Sequence, residues 1–85
     1  MSEAEIEARV LEIFLEVAPD VEVSKLQRDV AFRDQFDFDS MDTLSFAIGL
    51  HRAFGVDVPE TDYRELASLS RTVAYVSRCL RESGG

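Results

Sequence analysis

The stretch DSMDTLSFAIGLHRAFG, residues 39–55, predicts one amphipathic helix with a start signal and a stop signal. Asp39 and Ser40 are both favourable N-cap residues, and Gly55 readily adopts the left-handed conformation that ends a helix. We therefore expect a helix over residues 40–54. The apolar residues expected in its buried stripe are Leu44, Ala47, Ile48 and Phe54, with Phe46 and Leu50 flanking them.

A second amphipathic pattern lies toward the N-terminus and predicts a helix over about residues 3–17. Ser2 and Glu5 have the spacing of a capping box, in which each side chain accepts a hydrogen bond from the other residue's backbone N–H. Pro19 ends the pattern, because proline cannot continue a helix. The apolar residues that share one face of this helix are Ile6, Val10, Ile13, Phe14 and Val17.

Residues 20–39 have no clear periodicity, although apolar side chains recur among the charges. Val21-Glu22-Val23 resembles a short strand, but no second strand is available to pair with it. We expect a long loop that its apolar residues hold over the core, with one turn of helix in it. Ordered loops of this length are usually functional.

Two further helices are expected in the C-terminal third. A short helix over about residues 61–66 follows Pro59, and a longer one over about residues 69–81 begins after Ser68, with residues 82–85 as a frayed tail. The stripe of the last helix comprises Leu69, Val73, Val76 and Leu80, with Tyr75 beside it. The sequence thus predicts an all-α fold. It is a single domain over residues 1–85, a four-helix bundle with three principal helices, one short helix and a long loop between the first and second helices.

The charge balance excludes some classes of partner. The chain has 9 Lys and Arg against 17 Asp and Glu, a formal charge of −8. A nucleic-acid binder needs clustered basic residues that displace counterions from phosphates, so no nucleic-acid partner is expected, and neither is an anionic membrane surface. An acidic surface instead favours transient docking on basic protein patches.

Few residues could support catalysis or bind a metal ion. His51 and Cys79 are the only histidine and cysteine; we expect a solvated helix residue and a small, buried apolar side chain, respectively. An acidic N-terminus and the lack of a disulfide favour a cytosolic protein. We also expect a monomer. The four nearby carboxylates lack the calcium-loop pattern, so no metal site is expected. They belong to Asp34, Asp37, Asp39 and Asp42. With one histidine, one poor thiol candidate and no glycine-rich phosphate loop, no enzymatic activity is expected either.

The residues around Ser40 are the best candidates for a functional site. A serine at a helix N-terminus has an exposed hydroxyl, and the adjacent N–H groups and helix dipole favour a phosphate attached there. Taken alone, this pattern predicts a phosphodiester or phosphorylation site. It also fits a non-covalent helical interaction module in which Ser40 is only a helix cap.

Residues 30–76 resemble an acyl carrier protein, a family of small acidic four-helix bundles. Asp39-Ser40-Met41 stands where the family has Asp-Ser-Leu, and Val58-Pro59 stands where it has Ile-Pro. The run Phe32-Arg33-Asp34-Gln35-Phe36 matches the family's apolar-x-x-acidic-Leu run, and Leu69, Val73, Tyr75 and Val76 fall in register with its last helix. Residues 1–29 agree in pattern only.

The resemblance implies a covalent phosphopantetheine arm on Ser40, derived from coenzyme A, that carries acyl groups as thioesters. It implies a carrier without catalytic activity of its own, which serves partner enzymes of lipid or specialised-metabolite biosynthesis. Those partners are a phosphopantetheinyl transferase, with Asp39, Met41 and Asp42 as its docking residues, and enzymes that load or use the acyl group. The side chains that would line the acyl chain are Ile6, Phe46, Ile48 and Leu50.

The chain departs from the family pattern near the arm and along the second helix. Asp37 stands where the family usually has glycine, and Met41 replaces the usual leucine. Family members commonly carry several glutamates on the exposed face of this helix. Here those places are taken by Ser45, His51, Arg52 and Ala53, which implies a specialised set of partners rather than those of a housekeeping fatty-acid carrier.

Overall fold

A computed structural model describes residues 1–83, and within that range no residue lies in a β-strand. The structure confirms the all-α class, the three long helices and the long connection between the first two of them. The helices are α1 (Glu3–Val17), a 3₁₀ turn (Val23–Lys25), α2 (Phe32–Gln35), α3 (Ser40–Phe54), a 3₁₀ helix (Glu60–Leu66) and α4 (Leu69–Ser83).

Helix α1 begins at the predicted capping box. The Glu5 N–H donates to Ser2 Oγ at 3.2 Å, and the Ser2 N–H donates to Glu5 Oε1 at 2.9 Å. The hydrogen bonds from the Ser2 backbone and hydroxyl lower the pKa of Glu5, because they favour the ionised carboxylate. The predicted apolar face is buried except for Val17, which is half-buried at the end of the helix.

Helix α1 runs antiparallel to both α3 and α4. Its C-terminal end at Val17 lines a groove together with Asp42 in the first turn of α3. Its N-terminal residues Glu3 and Ile6 adjoin Ser77 and Leu80 in the C-terminal half of α4. The core therefore lies between α1 on one side and α3 and α4 on the other, and the start of α3 lies at the end of the bundle where α1 finishes.

The long connection between α1 and α3 is ordered over the core, as its apolar residues predict. The ring of Phe32 stacks on Phe14 of α1, with centroids 4.2 Å apart, and Phe38 stacks on the same ring at 5.4 Å. The Phe32 N–H donates to the Ala67 carbonyl at 2.7 Å, and the Ser70 N–H donates to the Arg28 carbonyl at 2.9 Å. The predicted turn of helix in this connection is α2.

The predicted buried stripe of α3 is wrong at two positions. Leu44 and Ile48 are 40% and 45% exposed, whereas Phe46, Ala47 and Leu50 are buried. Helix α3 has apolar residues on two faces, and periodicity does not determine which face meets the neighbouring helices. The approach of α1 decides it, since α1 packs so closely that Gly49 is opposite Ile13.

Two helix boundaries also differ from the prediction. The short third helix spans Glu60–Leu66 as a 3₁₀ helix, one residue longer at its start. Helix α4 continues to Ser83, so residues 82 and 83 are helical and not frayed as predicted. The rest of the predicted tail, Gly84 and Gly85, lies outside the described residues. Across residues 1–83, no helix has both the length and the apolar composition needed to cross a lipid bilayer.

The close approach of α1 and α3 makes Gly49→Ala a test of the packing. A Cβ atom at this position would lie 2.6 Å from Ile13 Cγ2, which must then move within a buried contact. We expect the substitution to lower the free energy of unfolding by about 1 kcal/mol, because strain of about 2 kcal/mol exceeds the gain of about 1 kcal/mol in helix propensity. Urea denaturation followed by circular dichroism measures the change.

The matched control is Ser45→Ala, at an exposed position of the same helix. It gains helix propensity without a clash and should leave the protein unchanged or slightly more stable. A Gly49→Ala protein that is as stable as Ser45→Ala would contradict the close helix contact.

Candidate functional site

The start of α3 is held by two aspartates. Asp39 is the N-cap residue, and its Oδ1 accepts a hydrogen bond from the Asp42 N–H at 3.0 Å. Asp42 Oδ2 in turn accepts from the Asp39 N–H at 3.0 Å, and Thr43 Oγ1 donates to the Asp39 carbonyl at 3.2 Å. This reciprocal capping box fixes the first turn of the helix and places two carboxylates at its positive end.

Ser40 is the first residue of α3 and takes no part in this cap. Its side chain is exposed, and its hydroxyl forms no hydrogen bond within residues 1–83. The adjacent backbone N–H groups favour an anionic group attached to that oxygen. The hypothesis that Ser40 serves only as a helix cap therefore loses its physical basis, because Asp39 supplies the cap.

Two grooves of opposite charge flank the first turn of α3. The groove that includes Ser40, here called the arginine groove, has a volume of about 650 Å³ and lies between this turn, α2 and the start of α4. Its apolar wall includes Phe38, Tyr63 and Leu66, and its basic side chains are Arg33, Arg64 and Arg71.

The second groove, here called the acidic groove, lies between the end of α1 and the first turn of α3 and has a volume of about 530 Å³. Lys25 is its one basic side chain, and its carboxylates belong to Asp20, Glu22, Asp37 and Asp42. The two grooves therefore present opposite charges on the two sides of the Ser40 turn.

Three apolar side chains continue from Ser40 along the exposed face of α3. Met41 is 69% exposed, and Leu44 and Ile48 follow at the i+3 and i+7 positions. Of the expected docking residues, Asp39 and Met41 are exposed and Asp42 is half-buried. Sequence reasoning assigned Leu44 and Ile48 to the core, although their spacing from Met41 could have indicated a shared surface.

Comparison with known proteins identifies the family. A family profile described as "Phosphopantetheine attachment site" matches residues 8–76, most of the chain. The chain belongs to this family. It is 29% identical over 83 residues to the meromycolate extension acyl carrier proteins of Mycobacterium bovis and Mycobacterium tuberculosis, which covers 98% of this chain and 71% of each relative. It is 22% identical over 78 residues to the acyl carrier protein of Porphyromonas gingivalis, covering 92% and 99%.

The family confirms the predicted role as an acyl carrier with covalently attached phosphopantetheine. The residues present fit that group. The Ser40 hydroxyl at the N-terminus of α3 is exposed and makes no hydrogen bond within residues 1–83, and it adjoins a groove with an apolar wall and basic side chains. When bound, the group supplies a flexible arm that ends in a thiol. The chain's own thiol, Cys79, is half-buried against the edge of the core.

The expected acyl-lining residues do not form one set. Phe46 and Leu50 are buried on the inner face of α3, and Ile6 is buried on the inner face of α1. Ile48 is on the other side of α3, where it is 45% exposed, so it lines no interior space. Ile6 also lies near Leu80, at the end of the bundle away from the Ser40 turn.

The remaining titratable candidates have structural partners. His51 Nδ1 is 3.1 Å from Asp57 Oδ1 at the exposed end of α3. The Tyr75 hydroxyl donates to Asp62 Oδ2 at 2.8 Å. The pKa of Tyr75 is raised, mainly because the side chain is removed from water and also because of this hydrogen bond. Within residues 1–83, no three His, Cys, Asp or Glu side chains are placed to share a metal ion.

The division of roles between Asp39 and Ser40 can be measured as stability. Asp39→Ala removes the N-cap, and we expect a loss of about 1 kcal/mol in the free energy of unfolding. Ser40→Ala removes a hydroxyl that makes no contact, and we expect a change within about 0.5 kcal/mol. Chemical denaturation of the two variants beside wild type tests this order. A larger loss for Ser40→Ala would mean that Ser40 is the cap.

Proposed function

We propose that Ser40 is the residue to which the phosphopantetheine arm is attached. The observation that carries this proposal is an exposed hydroxyl at the first position of α3 that takes no part in the helix cap. Attachment forms a bond from Ser40 Oγ to the phosphorus of coenzyme A that bears pantetheine. The bond from that phosphorus to 3′,5′-ADP breaks, and the hydroxyl proton passes to a base of the modifying transferase.

The capped turn of α3 supports this reaction by holding its acceptor in place. Because Asp39 and Asp42 satisfy each other's backbone N–H groups, Ser40 lies on a helical turn whose geometry is fixed before a partner arrives. The hydroxyl needs no cap hydrogen bond to be broken before it reacts. We propose that the chain supplies the acceptor and its position, and that it has no catalytic activity of its own.

We propose that partner enzymes dock on the side of α3 that bears the acidic groove. The carboxylates of Asp37 and Asp42 would steer a basic patch toward Ser40, and Met41 with the apolar side chains after it would form a desolvated contact. Charge steering speeds association without making the complex long-lived, which suits a carrier that must leave one enzyme for the next.

We propose that the acyl chain, when sheltered, lies against Phe46 and Leu50 beneath α3 and extends toward Ile6. We also propose a cytoplasmic monomer.

The uncharged and basic residues Ser45 and Arg52 on the exposed face of α3 support a specialised partner set. Slow turnover of the acylated protein by general fatty-acid elongation enzymes would support that set, and efficient turnover would refute it.

Attachment is tested by Ser40→Ala. We expect no modification of this variant by a phosphopantetheinyl transferase with coenzyme A, since alanine has no oxygen to form the new bond. Wild type should gain the mass of one phosphopantetheinyl group in an intact-mass measurement. Matching circular dichroism spectra would show that the variant is folded.

The matched control is Ser45→Ala, which removes another exposed hydroxyl from the same helix and should be modified like wild type. Modification of Ser40→Ala would show that the attachment site lies elsewhere. If several competent transferases left wild type unmodified, a non-covalent interaction module would be the better account.

The docking proposal is tested by Asp42→Asn, which removes the charge but keeps an oxygen that can accept the Asp39 N–H. We expect transferase kcat/KM to fall about two- to fivefold at low salt, which corresponds to about 0.4–1 kcal/mol for one exposed charge pair. The defect should shrink as salt is added, because salt screens exposed charges.

The control for the docking test is Asp57→Asn, which removes a charge just beyond the C-terminal end of α3, far from Ser40. It should leave the transferase rate near that of wild type. An equal loss of rate for Asp57→Asn, or a defect in Asp42→Asn that salt does not change, would contradict docking at the Ser40 turn.

A further inference from the structure

The arginine groove is unusual in a chain with a net charge of −8. Three of the chain's nine basic side chains line it, and Asp39 is its one carboxylate. Arg71 Nη2 is paired with Glu65 Oε1 at 3.0 Å. Arg33 and Arg64 have no carboxylate within 4 Å in the part of the chain that the structure describes. Two unpaired guanidinium groups therefore border the groove that contains Ser40.

The walls of this groove are fixed before any ligand enters. The Phe32 N–H donates to the Ala67 carbonyl across the groove, and the Ser70 N–H donates to the Arg28 carbonyl nearby. Phe38, at the groove wall, packs against the buried Phe14 ring. A groove with a fixed backbone loses little conformational freedom when it is filled, so the entropy cost of binding falls mainly on the ligand and not on the protein.

We propose that Arg33 and Arg64 bind the phosphodiester of the arm and hold its pantetheine portion against Phe38 and Tyr63. This inference rests on the proposed attachment at Ser40. Guanidinium groups bind phosphate oxygens through paired, charge-assisted hydrogen bonds, and both arginines line the same groove as Ser40. The arm then has two states, one held in the arginine groove and one extended toward a partner enzyme.

The two grooves thus have separate roles on this proposal. The acidic groove attracts the basic surface of a partner, and the arginine groove keeps the anionic arm on the carrier between encounters. Because the arm is released only when its phosphodiester leaves Arg33 and Arg64, these side chains set the fraction of time for which the thiol is held close to the carrier.

The test uses the arm-bearing protein, with complete modification of every sample first confirmed by intact mass. Amide chemical shifts of the forms with and without the arm are compared for wild type, Arg33→Gln and Arg64→Gln. In wild type we expect shift changes at residues 38–43 and also at residues 63–67 across the groove. In either variant the population held in the groove should fall roughly two- to fivefold, with a proportional loss of the changes at residues 63–67.

The matched control is Arg52→Gln, an exposed arginine near the far end of α3 that should leave all these shift changes intact. Wild-type changes confined to the neighbours of Ser40 would overturn the proposal, as would unchanged shifts at residues 63–67 in both arginine variants. Equal losses in Arg52→Gln would also overturn it, because they would reflect net charge alone.

A second experiment separates this inference from the attachment proposal. Free phosphopantetheine and free pantetheine, which lacks the phosphate, are titrated separately into the Ser40→Ala protein. We expect phosphopantetheine to shift the amides of residues 63–67 at a lower concentration than pantetheine does, and Arg64→Gln to remove that difference. Equal responses to the two compounds would overturn the role of the arginines, whichever residue carries the arm.

Discussion

The packing of Phe14 is the interaction on which the rest of this structure depends. Its ring is fully buried and contacts Phe32 and Phe38 of the long connection and Phe46 of α3. One side chain of α1 thereby holds the connection over the core and positions the first half of α3 against α1. Without this cluster, a connection of about twenty residues would have too little buried surface to offset its conformational entropy.

At the start of α3, the helix cap and the proposed attachment site belong to neighbouring residues. A cap needs an acceptor that is bonded to the backbone, whereas an attachment site needs a hydroxyl that is not. Asp39 and Asp42 fulfil the first requirement, which leaves the Ser40 hydroxyl free for the proposed attachment. Asp37 stands where the family usually has glycine. Glycine is required only where the backbone has a positive φ, and the backbone at Asp37 has none, so aspartate is accommodated without strain.

Charge is distributed unevenly around the same turn, although the net charge alone suggests a uniformly acidic surface. Carboxylates gather on the side that faces the end of α1, and arginines gather on the side that faces the start of α4. On the docking proposal, the carrier must attract basic enzyme surfaces and also bear an anionic phosphodiester. Opposite charges on two sides of one helical turn meet both requirements without placing like charges together.

The sequence by itself determined the long helices, the capping box of α1 and the position of Ser40, because these depend on periodicity and on residues within one turn of each other. The Ser2–Glu5 capping box, Gly55 as the C-cap of α3 and the face of α1 all followed from spacing, whereas the sequence left the N-cap of α3 open between Asp39 and Ser40. Only the tertiary structure decided which apolar face of α3 is buried, and so moved Leu44 and Ile48 to the surface. Only the tertiary structure placed Arg33, Arg64 and Arg71 in one groove, because residues up to 38 positions apart meet there through packing, which no local pattern records.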